Sequence, residues 1–110
     1  MHSMQLKPYY YHGTTTALGA IETISPHQQT GVVREPYHEQ MPDQVFVTDD
    51  FALAHDYAEL ASEQLGGEPI VYLVDPDQPS LQATDKPNQY HTKNARVLRA
   101  FRGVFNWQTR

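Results

Sequence analysis

The chain has 110 residues, 39% of them hydrophobic and 11% aromatic, which suits one globular domain and excludes a disordered chain. Cysteine is absent, so a disulfide framework and a thiolate zinc site are excluded and a reducing, cytoplasmic compartment is expected. The net charge of −5 argues against general attraction to phosphate backbones, although Lys86 to Arg110 carries six basic residues and no acidic one.

Residues 1–110 are expected to form a single domain, with 1–7 as a frayed N-terminus. No apolar run is long enough to span a bilayer, and Met1-His2-Ser3-Met4 lacks the basic patch and apolar stretch of a secretory signal. Tyr9-Tyr10-Tyr11-His12 is aromatic and β-prone, and Gly13 with the threonines after it ends a short strand in a turn. Residues 26–43 hold Pro26, Gly31, Pro36 and Pro42 among few apolar positions and read as a long loop. Gln44-Val45-Phe46-Val47-Thr48 has the character of a buried strand, and Asp49 or Asp50 follows as a helix N-cap.

The clearest element is a helix over Phe51 to Leu65, with Phe51, Ala54, Ala58, Ala61 and Leu65 recurring at three and four and Gly66-Gly67 closing it. Pro69 to Val74 is a continuous apolar run, the pattern of a central strand, broken by Asp75-Pro76-Asp77. Residues 76–90 are polar and proline-containing and read as loop. Val97 to Phe105 reads as a long strand, although Arg96, Arg99 and Arg102 at spacing three would also suit a helix face. A strand–turn–helix crossover occurs once rather than repeatedly, which excludes a doubly wound nucleotide fold. The order predicts an α+β domain with two small packed sheets and one main helix.

Common catalytic signatures are missing: there is no glycine-rich phosphate loop, no Gly-x-Ser-x-Gly elbow and no His-Glu-x-x-His pair. The six histidines (2, 12, 27, 38, 55 and 91) show no spacing that suggests a metal site, so no metal is expected. What stands out is Tyr11-His12-Gly13-Thr14 directly after a strand. It is followed in order by Val45-Phe46-Val47-Thr48, Ala58-Glu59-Leu60-Ala61, Val74-Asp75-Pro76, Thr84-Asp85-Lys86 and Tyr90 to Lys93.

In this joint order the chain resembles the ADP-ribosyltransferases, and most closely the small rifamycin ADP-ribosyltransferases, over roughly residues 9–107. The resemblance implies the family's compact fold and an NAD-dependent transferase. The nicotinamide–ribose bond would be split and ADP-ribose passed to an acceptor, with NAD as co-substrate. It places His12 on a ribose as a hydrogen-bond partner, and Gly13 with its backbone N–H and C=O on the nicotinamide carboxamide, where only a residue without a side chain permits close approach. Phe46 and Tyr57 would clamp the cationic ring, worth about 0.5–2 kcal/mol. Tyr11, Thr14 and Thr48 complete the expected NAD-binding set, with His12, Phe46 and Asp85 as the catalytic one.

The rifamycin enzymes carry tyrosine where Phe46 stands, so stacking is kept and a hydroxyl contact is not. Aligning Asp85-Lys86-Pro87-Asn88 with the family's Asp-Pro-Asn run makes Asp85 the carboxylate that opposes the cationic transition state. Aligning Thr84-Asp85-Lys86 with Thr-Asp-Lys instead puts Ser80 there, and Asp77 and Gln82 are the other residues within reach. The acceptor is expected to be either a rifamycin-like small molecule or a macromolecular target of a toxin-type module, for which a neutralising partner protein is then expected. A monomer acting away from membranes is the expected form. The alternatives are a non-catalytic NAD or ADP-ribose binder of the same fold and an NAD glycohydrolase. RNA 2′-phosphotransferases open on a similar His-Gly-Thr, but they need several arginines, and the first half of the chain has only Arg34.

Overall fold

The computed structural model describes residues 9–19, 21–24 and 43–102, with the side chain of Arg102 excepted. Residues 26–42 of the expected loop, the segment 1–7 expected to fray, Trp107 and the C-terminal part of the expected last strand lie outside the described residues. The strands are β1 (Tyr10–Thr15), β2 (Thr23–Ile24), β3 (Val45–Thr48), β4 (Pro69–Pro76), β5 (Gln82–Ala83), β6 (Gln89–Thr92) and β7 (Ala95–Arg102). Among the described residues one helix, α1 (Phe51–Leu65), lies between β3 and β4, and short 3₁₀ turns cover Thr16–Leu18 and Gln78–Ser80.

The α+β class holds, but the expectation of two separate sheets is corrected. All seven strands join one antiparallel sheet in the order β2-β7-β4-β1-β3-β6-β5. The two halves meet at a narrow seam, because β1 and β3 pair only at Tyr11 and Thr48, whereas β1 and β4 run in register from Tyr10–Val74 to Thr15–Pro69. One residue pair is enough to make the sheet continuous, and no sequence pattern reports whether it forms. The segment 76–90, expected to be loop, holds a 3₁₀ turn and β5 and leads into β6. The strand expected from Val97 begins at Ala95, and the arginines at spacing three lie on it rather than on a helix.

Alternation along β1 divides the core between the two faces of the sheet. Tyr10 packs on one cluster, built on Ile24, Val45, Val47, Ile70, Tyr72, Val74 and Ala95. Tyr11 packs on the other, built on Val71 and on Ala54 and Ala58 of α1. The helix starts at Asp50, whose side chain accepts from the Ala52 N–H at 3.0 Å. It ends at Gly66, whose φ of 86° turns the chain and whose N–H donates to the Ser62 carbonyl at 2.9 Å.

Alanines on the buried side of α1 bring its backbone close to the sheet, and the closest point is Gly13. A Cβ on Gly13 would stand 1.9 Å from the Ala54 carbonyl oxygen and 2.9 Å from the Ala58 nitrogen. Both are backbone atoms, which cannot rotate aside, so helix packing alone requires a glycine here. Gly13→Ala is expected to cost about 3 kcal/mol through displacement of α1. Urea unfolding measures this, and an unchanged midpoint would show that the helix seats elsewhere.

Candidate functional site

The Thr16 N–H donates to the Glu68 carbonyl at 2.9 Å, next to the Thr15–Pro69 pair of the ladder. Because hydrogen-bonded pairs alternate along antiparallel strands, Tyr10, His12 and Thr14 bond β4, while Tyr11, Gly13 and Thr15 turn their N–H and C=O toward β3. On that side the pairing is confined to Tyr11–Thr48. Gly13 therefore directs a donor and an acceptor into the unpaired stretch between β1 and β3 just past the seam.

His12 spans the same unpaired stretch. Its Nδ1 lies 2.8 Å from the carbonyl oxygen of Phe46. A carbonyl only accepts, so Nδ1 carries the proton and a neutral ring presents Nε2 as an acceptor. His12 is buried, and burial pushes its pKa below the ordinary value, against a smaller opposing effect of the bond to Phe46. The neutral form, with Nε2 able to take a hydroxyl proton donor, is the one the fold selects.

Paired residues share a face, so the Tyr11–Thr48 pair carries the helix side of β1 across to β3. Phe46 and Thr48 stand on this side, and β6 continues it with Gln89 opposite Thr48 and His91 opposite Phe46. The Phe46 and His91 ring centroids are 6.3 Å apart. His91 Nδ1 lies 2.9 Å from Gln44 Oε1. Tyr57 reaches down from α1, donating its hydroxyl to Gln89 Oε1 at 3.0 Å. The helix packs chiefly on β1 and β4 and little on β3, so Tyr57 stands beside the Phe46–His91 face rather than over the core. Phe46, Tyr57, Gln89 and His91 are all half-buried.

The structure thus brings Gly13, Phe46 and Tyr57 to one side of the sheet, with His12 joined to them across the seam. Tyr11 and Thr48 share that side but are engaged in packing and hydrogen bonds, and Thr14 lies on the other. Tyr11 packs edge-on against Phe51, with ring centroids 5.2 Å apart. Thr14 is buried on the opposite face, and its hydroxyl meets no partner among the described residues. Thr48 is buried too, its hydroxyl donating to the Asn88 carbonyl at 2.5 Å and accepting from the Asp50 N–H at 3.0 Å.

Asp85 is exposed, in the turn between β5 and β6, and makes no hydrogen bond or ion pair with another described residue. That turn is latched to the N-terminus of α1 through the Asn88 carbonyl, which also accepts from the Asp49 N–H at 3.3 Å. Asn88 itself adopts a left-handed φ of 64°, which asparagine tolerates. Asp77 caps the 3₁₀ turn, its side chain accepting from the Ser80 N–H at 3.2 Å. Ser80 in turn lies 2.9 Å from Thr92 Oγ1, so both tie the turn to the corner between β6 and β7. Gln82 is exposed on β5 opposite His91, at the far end of the Phe46 row.

Sequence reasoning missed Gln89, His91 and Gln44. Their strand is short and polar, and only its pairing with β3 brings them beside Phe46. It also missed a group on α1, where His55, Asp56 and Glu59 bring potential ligand atoms within 4.8 Å of one another. At 100° per residue, His55 and Tyr57 fall on nearly opposite sides of the helix, so this group does not join the Phe46 face. No described helix is long and apolar enough to cross a membrane. Comparison with known protein families finds no matching family, and comparison with curated proteins finds no match.

The His12 geometry carries a linkage. A histidine whose folded pKa is depressed contributes its full stability above the unfolded value of 6.5 and loses it as pH falls through the folded value. The unfolded chain binds the proton more readily in that interval, so acid favours unfolding. The thermal midpoint is expected to fall between pH 7 and pH 5, and less steeply in His12→Gln. Parallel slopes would show that His12 is as easily protonated folded as unfolded.

Proposed function

We propose that this chain is an NAD-cleaving ADP-ribosyltransferase whose nicotinamide sits between Phe46 and Tyr57 against the backbone of Gly13. The observation that carries this reading is the interrupted β1–β3 pairing. It leaves Gly13 with an adjacent N–H and C=O directed at the unpaired stretch beside β3, the pattern that matches a primary carboxamide, which offers one acceptor and two donors. An aromatic ring stands beside that stretch on β3 and a second on α1, suited to a flat cationic ring. His12, neutral and fixed through Nδ1, supplies an acceptor for a ribose hydroxyl. The motif resemblance to the small rifamycin ADP-ribosyltransferases supports the same reading. Asp85 is the carboxylate proposed to face the cationic ribose, from the turn latched beside Thr48. The acceptor is a rifamycin-like small molecule or a macromolecule.

A second reading, a non-catalytic binder of NAD or ADP-ribose, draws on one observation. The polar side chain bonded to Tyr57 on the Phe46 face is the neutral amide of Gln89, whereas Asp85 stands exposed in its turn. Nicotinamide release from NAD by the purified chain, followed by chromatography, separates the two readings. Release is expected from the wild type and expected to fall at least about a hundredfold in His12→Ala and Asp85→Ala, within the range for loss of a transition-state contact. Tight NAD binding by calorimetry without release would establish the binder instead.

The clamp is tested separately. Phe46→Ala is expected to raise the apparent NAD constant roughly tenfold, matching the loss of about 1–2 kcal/mol of ring contact, while Phe46→Tyr stays near the wild type. Equal effects of the two substitutions would remove Phe46 from the clamp.

A further inference from the structure

We infer that His91, oriented by Gln44, is the general base that takes the proton from a hydroxyl acceptor as ADP-ribose is transferred. This rests on the NAD-cleaving reading above and names a residue to which neither the motifs nor the resemblance assigns a role.

The inference starts from strand register. Phe46 pairs with His91, and His91 with Gln82, so these three residues form one row across β3, β6 and β5. Continuing the Tyr11–Thr48 register by two residues aligns Gly13 with the same row, and the His12–Phe46 bond holds β1 there. Paired strands are spaced about 4.8 Å apart, so His91 stands about one strand spacing from Phe46, and Gly13 lies on the other side of Phe46 across the unzipped seam. That order accommodates a nicotinamide between Gly13 and Phe46, its ribose beyond Phe46, and an acceptor approaching from the His91 side. The order along the row is leaving group, reacting carbon, base, as displacement at a single carbon requires.

The hydrogen bond at His91 selects its working form. Gln44 Oε1 lies 2.9 Å from Nδ1 and can only accept, so Nδ1 carries the hydrogen and Nε2 bears the free lone pair. The ring is half-buried and stands beside Phe46, with centroids 6.3 Å apart, so the lone pair belongs to a group within reach of the face. In the step itself, the acceptor oxygen bonds to the ribose carbon. The bond from that carbon to the nicotinamide nitrogen breaks, and its electron pair leaves on the now neutral nicotinamide. The acceptor proton passes to His91 Nε2, and the resulting imidazolium returns it to solvent. Gln44 is a positioning residue, since it acts only through the His91 ring.

A nucleophile without a proton needs no base, and this supplies the test. NAD is incubated with the chain in water, in water with methanol, and with sodium azide, and the ADP-ribose, methyl and azide products are quantified. His91→Gln is expected to lower the water and methanol products about a hundredfold while the azide product stays within about threefold of the wild type. Gln44→Ala is expected to show the same selectivity with a smaller loss. Loss of all three products together in a His91→Gln variant whose circular dichroism and thermal midpoint match the wild type, or loss of none, overturns the role of His91. A wild type that releases no nicotinamide with any nucleophile instead sinks the NAD-cleaving reading itself.

Discussion

The approach of the helix backbone to Gly13 is the contact on which the other placements turn. Ala54, Ala58 and Ala61 remove side-chain bulk from one stripe of α1, and Gly13 removes it from β1, so two backbones meet where side chains usually intervene. A helix seated so deeply over β1 has its position along the strand fixed by sterics alone. That position sets where Tyr57 emerges, one stripe away from the alanines, and so allows its hydroxyl to reach Gln89 on β6. The same glycine that admits the helix on one face turns its N–H and C=O along the sheet plane toward β3. Both requirements fall on one residue, because a strand residue directs its side chain and its peptide groups at right angles to each other.

The seam between β1 and β3 is the second constraint, and it arises from His12. In a continued ladder the Phe46 carbonyl would face the Gly13 N–H, but the imidazole Nδ1 lies 2.8 Å from that oxygen. A side chain thus stands where a backbone pair would form, holding the strands near each other without zipping them. The exchange conserves a hydrogen bond while opening an edge, so the seam need not carry the full cost of an unsatisfied buried carbonyl.

On the NAD reading, the charge at this site moves during reaction. The nicotinamide ring begins as a cation and leaves neutral, so the faces of Phe46 and Tyr57 attract the substrate more than the product. Contacts that favour the ground-state cation aid binding and product release more than rate. Acceleration depends on what meets the positive charge as it develops on the ribose, and this gives the placement of Asp85 its weight in deciding between enzyme and binder.

Local chemistry made part of this legible in the sequence. The helix over Phe51–Leu65 could be read because an N-cap aspartate, a three-four apolar repeat and a glycine pair all mark the same segment. The strand could be read over Pro69–Val74 because it is covered on both faces and is therefore apolar, but it runs on through Asp75 to Pro76, where pairing with β7 overrides the expected break. On the NAD reading, His12, Gly13, Phe46 and Tyr57 are picked out by motif order. Strand β6 was not, because Gln89, Tyr90, His91 and Thr92 gain strand character only from pairing with β3, and a polar tetrapeptide has no periodicity to show. The arginines of β7 imitated a helix face because spacing three fits both elements until Arg96, Arg99 and Arg102 are seen paired along β4. The sequence by itself determined the helix and the cores of the main strands, since these follow from neighbours within a few positions, although β1 runs on through Gly13 to Thr15 where a turn was expected. Only the tertiary structure decided that one residue pair joins the two halves of the sheet, that a helix backbone demands Gly13, and that Gln89 and His91 stand beside Phe46. Those contacts join positions dozens of residues apart, where no local rule reaches.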